Sequence, residues 1–388
     1  MSLSTVTDTP ARLLAGGRVV TPEGVLPNAW VHVEGDTIAS VDASQPAVDA
    51  PVHDLEGAWL LPGLIDLHMH GGGGHSVADS RDAMAGAVAF HRLHGTTATL
   101  VSLMTAPVDD LCQQLGWAAA LMRSGPGSDG HVLGSHLEGP FLSPRRRGAQ
   151  NPAHMIAPDQ AVLGRLVAAA DGALRMVTLA PELDGALDLI APLRRQGVIV
   201  ALGHSDASYE QARAAIRAGA NHATHLFNAM PSLHHRAPGL VGAALEAGIP
   251  CELINDGVHV HPAVVRFVTR AISSPVLVTD AIDASGVGDG TFVLGGQEVR
   301  VHEGEARLAS TESLAGSTLT MSEALRRAVR DSGLSVEHAS AAASANPARV
   351  LGLEASIGSI APGRQADLVV LDDDLQLTAV MAGGVWCE

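Results

Sequence analysis

The feature that most constrains the fold is an alternation, repeated eight times between residues 61 and 350, of apolar runs of strand length with helical stretches. The runs are LLPGLIDLHMH (60–70), TTATLVSLMT (96–105), HVLGSHLEGP (131–140), LRMVTLAPE (174–182), VIVALGHSDA (198–207), NHATHLFNAM (221–230), CELINDGVHV (251–260) and SPVLVTDAID (274–283). Between them RDAMAGAVAFHRLHG, PDQAVLGRLVAAADG and SYEQARAAIRAGA read as helices, the last two closing near glycine. Such alternation specifies an α/β fold with a parallel sheet, and eight units in about 290 residues suit a TIM-like (β/α)8 barrel. In nearly every run the apolar part comes first and His, Glu, Asp or Asn closes it, at the end where barrels carry their sites. An open doubly wound sheet ranks lower, because no G-x-G-x-x-G follows a first strand; GGGG at 71–74 reads as a flexible turn. Both chain ends have a different texture of short strands and turns, which predicts a small β-sandwich domain from residues 1–60 and 351–388 around a barrel of 61–350.

Composition narrows the chemistry. Acidic residues outnumber basic ones 41 to 24, for a net charge of −17, and all 24 basic residues are arginine. Without lysine, a Schiff base, a P-loop amine and a carbamylated-lysine metal bridge are all excluded. The acidity argues against a nucleic-acid partner, which needs clustered positive charge. Cys112, Cys251 and Cys387 form no disulfide framework and fit a reducing, cytoplasmic setting. The start, MSLSTVTDTPARLL, lacks the pattern of a signal peptide, and no apolar run approaches the roughly 20 residues of a membrane span, so no membrane partner is expected. The 19 histidines direct attention to metal or acid–base chemistry.

His68 and His70 lie two apart in an extended run, so both side chains share a face. Glu138, His204, His225 and Asp280 close the third, fifth, sixth and eighth runs, and a barrel would bring all six to one mouth. Imidazoles with carboxylates form an N/O site for one or two divalent ions: zinc first, with Fe, Mn or Co as alternatives. Arg145, Arg146 and Arg147 read as a solvated charge run, and His75, His94, His136, His222, His234, His235 and His261 as bystanders, although His136 shares a face with Glu138. The glycine-rich stretch after the eighth run reads as a β-hairpin excursion that could cover the site.

The segments PGLIDLHMHG, HLEGPFL, LGHSDA, THLFNAM, NDGVHV, VTDAID and PGRQADLVVLD resemble the amidohydrolase superfamily. THLFNAM followed by R-x-P-G resembles, within it, the N-acetylglucosamine-6-phosphate deacetylase family, over almost the whole chain. The resemblance implies metal-dependent hydrolysis of a sugar-phosphate N-acetyl group to acetate and the free amine. It implies Glu138, His204 and His225 as principal metal ligands. Asp280 is implied as the catalytic aspartate, taking a proton from water and returning it to the leaving nitrogen. It further implies a second ion on His68, His70 and Asp280 with Glu138 as the bridge. Phosphate recognition would fall to Arg236, reaching the neighbouring site across a homodimer, and to His259, supported by Asn228, Ala229 and the loop Asp256, Gly257 and Val258. Ser313, Leu314 and Ala315 would also contact substrate. The chain departs from the family at Gly148, Ala149 and Gln150, where several members carry histidine before Asn-Pro; glutamine can orient a substrate without carrying a proton charge. Two alternatives stand beside this reading: the same chemistry on N-acetylgalactosamine 6-phosphate, and a silent barrel serving as a scaffold.

Overall fold

The computed structural model describes residues 11–125 and 130–387. The first ten residues, which include most of the start read above as lacking a signal-peptide pattern, and the extreme ends of the expected small domain therefore lie outside the described residues. Eight parallel strands follow one another in chain order: Leu64–Asp66, Thr96–Met104, His131–Glu138, Leu174–Leu179, Ile199–Leu202, His222–Ala223, Cys251–Ile254 and Pro275–Val278. The first and eighth meet just past their ends, through a parallel bridge between Met69 and Ala281 and the bond from Asp280 N to His68 O at 2.8 Å. The result is the TIM-like barrel expected. Its strands are buried along almost their whole length, as parallel strands covered by helices must be, which explains their continuous apolar runs.

The expected helices form at Arg81–Leu93, Gln160–Ala169 and Tyr209–Ala218. The last starts at a capping box between Ser208 and Gln211 and stops at Gly219, in the left-handed region at φ 119°. Strands from both chain ends, Arg12–Pro62 and Leu368–Trp386, form one separate, mainly antiparallel eight-stranded sheet over its own core of Leu14, Val31, Val33, Leu60, Leu368 and Met381. The stretch after the eighth strand forms a three-stranded antiparallel sheet, Gly290–Leu294, Gln297–His302 and Glu305–Leu308.

Two details differ from the sequence reading. The run 60–70 is not one strand: Trp59–Pro62 pairs with Leu368–Leu371 in the small sheet, and only Leu64–Asp66 enters the barrel. Gly63 makes the crossing possible, because a Cβ there would stand 2.2 Å from Thr97 Oγ1. The glycines at 71–74 are also more than a flexible turn. A Cβ on Gly71 would meet Asp283 N and His75 O, each at 2.6 Å, so the missing side chain lets the first strand's exit pack on the eighth's.

Candidate active site

The barrel delivers the six expected residues to one mouth. Beyond Asp66 the chain stays extended, and His70 N donates to Ala281 O, which turns His68 and His70 inward together. Glu138 is the last residue of the third strand. His204, His225 and Asp280 each sit two residues beyond a strand end, in the left-handed region at φ 46°, 25° and 51°. Non-glycine residues adopt that conformation only when their surroundings enforce it, and such strain gathers at functional sites. Here the enforcing bonds are Ser143 N to His204 O at 2.9 Å, His225 N to Glu252 Oε2 at 3.0 Å and Asp280 N to His68 O at 2.8 Å.

Glu138 is the centre of the arrangement. Its Oε1 lies 2.9 Å from His204 Nε2 and 3.0 Å from His225 Nε2, while its Oε2 lies 3.3 Å from His70 Nε2. The carboxylate therefore belongs to two donor groups at once, His68/His70/Glu138 and Glu138/His204/His225, both buried. Asp280 Oδ1 stands over the first pair, 3.1 Å from His70 Nε2 and 3.5 Å from His68 Nε2. Burial alone would push Glu138 toward the neutral acid, but His68, His204 and His225 hold it well below the ordinary carboxylate range. The His68 and His70 imidazoles shift the opposite way. Burial would lower His70, yet Asp280 and Glu138 raise it to about 9, so a cation taken up at Nε2 displaces a proton held there by the two carboxylates.

These side chains fit a divalent cation. The Nδ1 atoms of His68, His70 and His204 face acceptors, Glu252 Oε2 at 3.0 Å, Ser102 O at 2.9 Å and Arg146 O at 2.9 Å. Nδ1 must then carry the hydrogen, which leaves each Nε2 lone pair pointing into the site. Within each pair, His68 with His70 and His204 with His225, the Nε2 atoms stand 3.1 Å apart. For His68 and His70, whose Nδ1 hydrogens are both fixed, lone pairs face to face at that distance repel unless positive charge sits with them, and imidazoles with carboxylates supply what a borderline N/O cation binds.

The Amidohydrolase family model matches residues 59–387. The chain belongs to the amidohydrolase family. Curated relatives include an N-acetylgalactosamine-6-phosphate deacetylase of Escherichia coli O157:H7, 39% identical with 96% of this chain and 98% of the relative covered. An N-acetylglucosamine-6-phosphate deacetylase of Bacillus subtilis is 37% identical with 94% of each covered. Among solved structures, a mutant N-acetyl-D-glucosamine-6-phosphate deacetylase of Mycobacterium smegmatis in complex with N-acetyl-D-glucosamine-6-phosphate superposes with a TM-score of 0.92 at 42% identity, covering 97% of this chain and 99% of that one. This amidohydrolase is an amide hydrolase whose family depends on metal, and its donor groups are those a metal would use.

Above the donors opens a cavity of about 290 Å³. Among the residues expected to meet substrate, Ala149, Gln150, Asn228, Ala229, His259, Ser313 and Leu314 line it. Asp256 acts on His259 rather than on the cavity: its Oδ2 accepts from His259 Nδ1 at 2.6 Å and its Oδ1 from the Val258 and His259 amides, each at 2.8 Å. Val258 is solvent-exposed, and Ala315 is buried behind the lining with Gly316 at the wall instead. Arg236 lies on an exposed loop outside the lining, its guanidinium 2.7 Å from His235 Nε2. Gln150 has a second occupation: its Nε2 donates to Glu138 Oε2 at 2.6 Å and its Oε1 accepts from Thr105 N at 2.8 Å. One amide hydrogen of the two is left for the cavity.

Of three buried residues that support the site, Asp66 and Glu252 went unread in the sequence and His136 was given no role. Asp66 takes the amides of His68 and Thr279 and the Thr279 hydroxyl, at 3.1, 3.3 and 2.6 Å, and so ties the first strand to the eighth. His136, read as a bystander, sets its ring edge-on to His68 with centroids 4.7 Å apart, and its nitrogens meet Ser102 Oγ at 3.0 Å and Thr178 Oγ1 at 2.7 Å. Glu252 bonds His68 and His222. The signal for Asp66 and Glu252 was present: an ionisable residue inside an apolar strand run has to find a partner.

Proposed function

We propose that this amidohydrolase removes the N-acetyl group of N-acetylglucosamine 6-phosphate, giving glucosamine 6-phosphate and acetate. The observation that carries the reading is Glu138, shared between two histidine pairs at the floor of a cavity with Asp280 at its edge. The activities of relatives 37–42% identical over nearly their whole length supply the substrate class.

Glu138, His204 and His225 would hold one ion, and His68, His70 and Asp280 a second with Glu138 between them. Bound there, a divalent ion polarises a carbonyl and acidifies water; zinc is the first choice for this donor set. Asp280 takes the proton from the attacking water and returns it to the leaving nitrogen, since an amide anion is too poor a leaving group to depart unprotonated. Gln150 directs its remaining N–H at the acetyl group while holding Glu138. The phosphate meets His259, oriented by Asp256, together with Asn228 and the backbone at Ala229. Arg236 completes that subsite from a second copy of the chain, in a homodimer of cytoplasmic setting; exposure on a loop outside the cavity of its own chain agrees with this. The galacto epimer is the second reading, favoured by the 39% identity to the E. coli N-acetylgalactosamine-6-phosphate deacetylase. Acetate release, measured side by side on both phosphorylated epimers and on unphosphorylated N-acetylglucosamine, tests the proposal. Fastest turnover of the gluco phosphate is expected, and turnover of none of the three would leave only the scaffold reading.

A further inference from the structure

Glu252 is fully buried in the seventh barrel strand, Cys251–Ile254, and takes no part in the chemistry proposed above. Its Oε2 accepts from His68 Nδ1 at 3.0 Å and from the His225 backbone N–H at 3.0 Å. Its Oε1 lies 3.1 Å from His222 Nε2. Burying a carboxylate is costly unless every oxygen is partnered, and here each is, with His68 and His222 keeping it ionised against the effect of burial.

The placement singles Glu252 out. His70 and His204 are oriented by neutral backbone carbonyls, of Ser102 and Arg146; His68 is oriented by a full negative charge from across the barrel. The same oxygen holds His225 by its amide, at a residue whose backbone sits in the left-handed region at φ 25°. His68 belongs to one donor group and His225 to the other. Glu252 therefore spans both groups from behind, as Glu138 spans them from in front.

We propose that Glu252 is a positioning residue that couples the two candidate metal groups, fixing the tautomer of His68 directly and the backbone of His225 through its amide. This rests on the reading of both groups as metal sites. The dependence of the two sites on it is unequal. The first group loses the charge that aligns one of its ligands, whereas the second keeps three side chains whose contacts to one another do not pass through Glu252. An outer carboxylate on a ligating histidine typically changes metal affinity 10- to 100-fold.

The test uses the full chain dialysed against graded free Zn²⁺, with bound zinc counted per chain for the unaltered protein, Glu252→Gln and Glu252→Ala, and with circular dichroism recorded on each. Glutamine can still accept from His68 and His225 through its carbonyl, and its NH₂ can face His222 once that imidazole places its hydrogen on Nδ1, which has no partner among the described residues. The expected result is two equivalents for the unaltered protein. Glu252→Ala should lose one by a 10-fold or greater fall in affinity while keeping the other, and Glu252→Gln should fall between. A role in folding alone would lower the melting temperature and leave both zinc affinities alone, which would overturn the proposal. If Glu252→Ala does not fold, Glu252→Gln decides: zinc affinities equal to those of the unaltered protein overturn the proposal. Fewer than two equivalents in the unaltered protein would instead overturn the two-site reading beneath it.

Discussion

Replacing Gln150 by leucine removes a side chain of similar size whose two ends are both committed in the buried floor of the site. One end gives a charge-assisted bond of 2.6 Å to Glu138, and the other receives the Thr105 amide at 2.8 Å. Losing a hydrogen bond to a charged group costs about 1.5–3 kcal/mol, and stranding a buried amide about 1–3 kcal/mol. Together these give about 4 kcal/mol. For 388 residues an unfolding entropy of about 2.1 cal/mol/K per residue amounts to about 0.8 kcal/mol/K, so the melting temperature should fall by about 5 °C. Differential scanning calorimetry reads the shift, and bound metal should fall in parallel, because Glu138 loses the donor that sets its rotation. Gln150→His keeps a donor and should lose less. A Gln150→Leu protein that melts within 1 °C of the unaltered one, with its metal content intact, would refute the reasoning.

Asp280→Asn keeps an oxygen donor beside His68 and His70 but no proton acceptor, so it should weaken the second ion, leave the one held by Glu138, His204 and His225, and cut kcat by about 10²–10⁴-fold, the range of a positioned proton-transfer group; near-normal turnover would remove Asp280 from that role. Arg236→Ala should raise KM for the phosphorylated sugar far more than for N-acetylglucosamine, and an equal loss on both would exclude a phosphate contact. Asp367 supplies a pH prediction far from the chemistry: burial raises its carboxyl from 3.8 to about 7, and its Oδ2 has no partner among the described residues. The unfolded chain releases this proton first, so between about pH 4 and 7 the folded state holds the extra proton and stability falls as pH rises. The full cost above pH 7, at 1.36 kcal/mol per unit, is about 4 kcal/mol. Asp367→Asn keeps the acceptor for Gly383 N at 2.8 Å, so in urea titrations it should gain stability at pH 8 by up to about 4 kcal/mol and gain little near pH 4; equal effects at both would contradict the linkage.

The parts of the fold that are periodic were legible in the sequence. Apolar runs closed by polar residues placed eight parallel strands, and H-x-H with Glu138, His204, His225 and Asp280 located the floor of the site, because a barrel admits one place where the five strand ends that carry these six residues meet. Contacts that depend on side-chain rotamer across the barrel were not legible. Nothing in G-A-Q-N-P says that Gln150 turns back onto Glu138, and nothing in the spacing of Glu252 from His68, 184 positions apart, says that they touch. Backbone conformation at single residues was equally hidden: His204, His225 and Asp280 are beyond their strands, in a region of φ that histidine and aspartate enter more often than most residues but still too seldom to be read from type alone.

The central claim is that the shared carboxylate and its two histidine pairs hold the ions on which amide hydrolysis depends. Its most direct test is acetate release from N-acetylglucosamine 6-phosphate by chelator-stripped protein as a divalent cation is titrated back. Turnover should be lost on stripping and should return in step with bound metal. Full turnover in stripped protein would contradict the account.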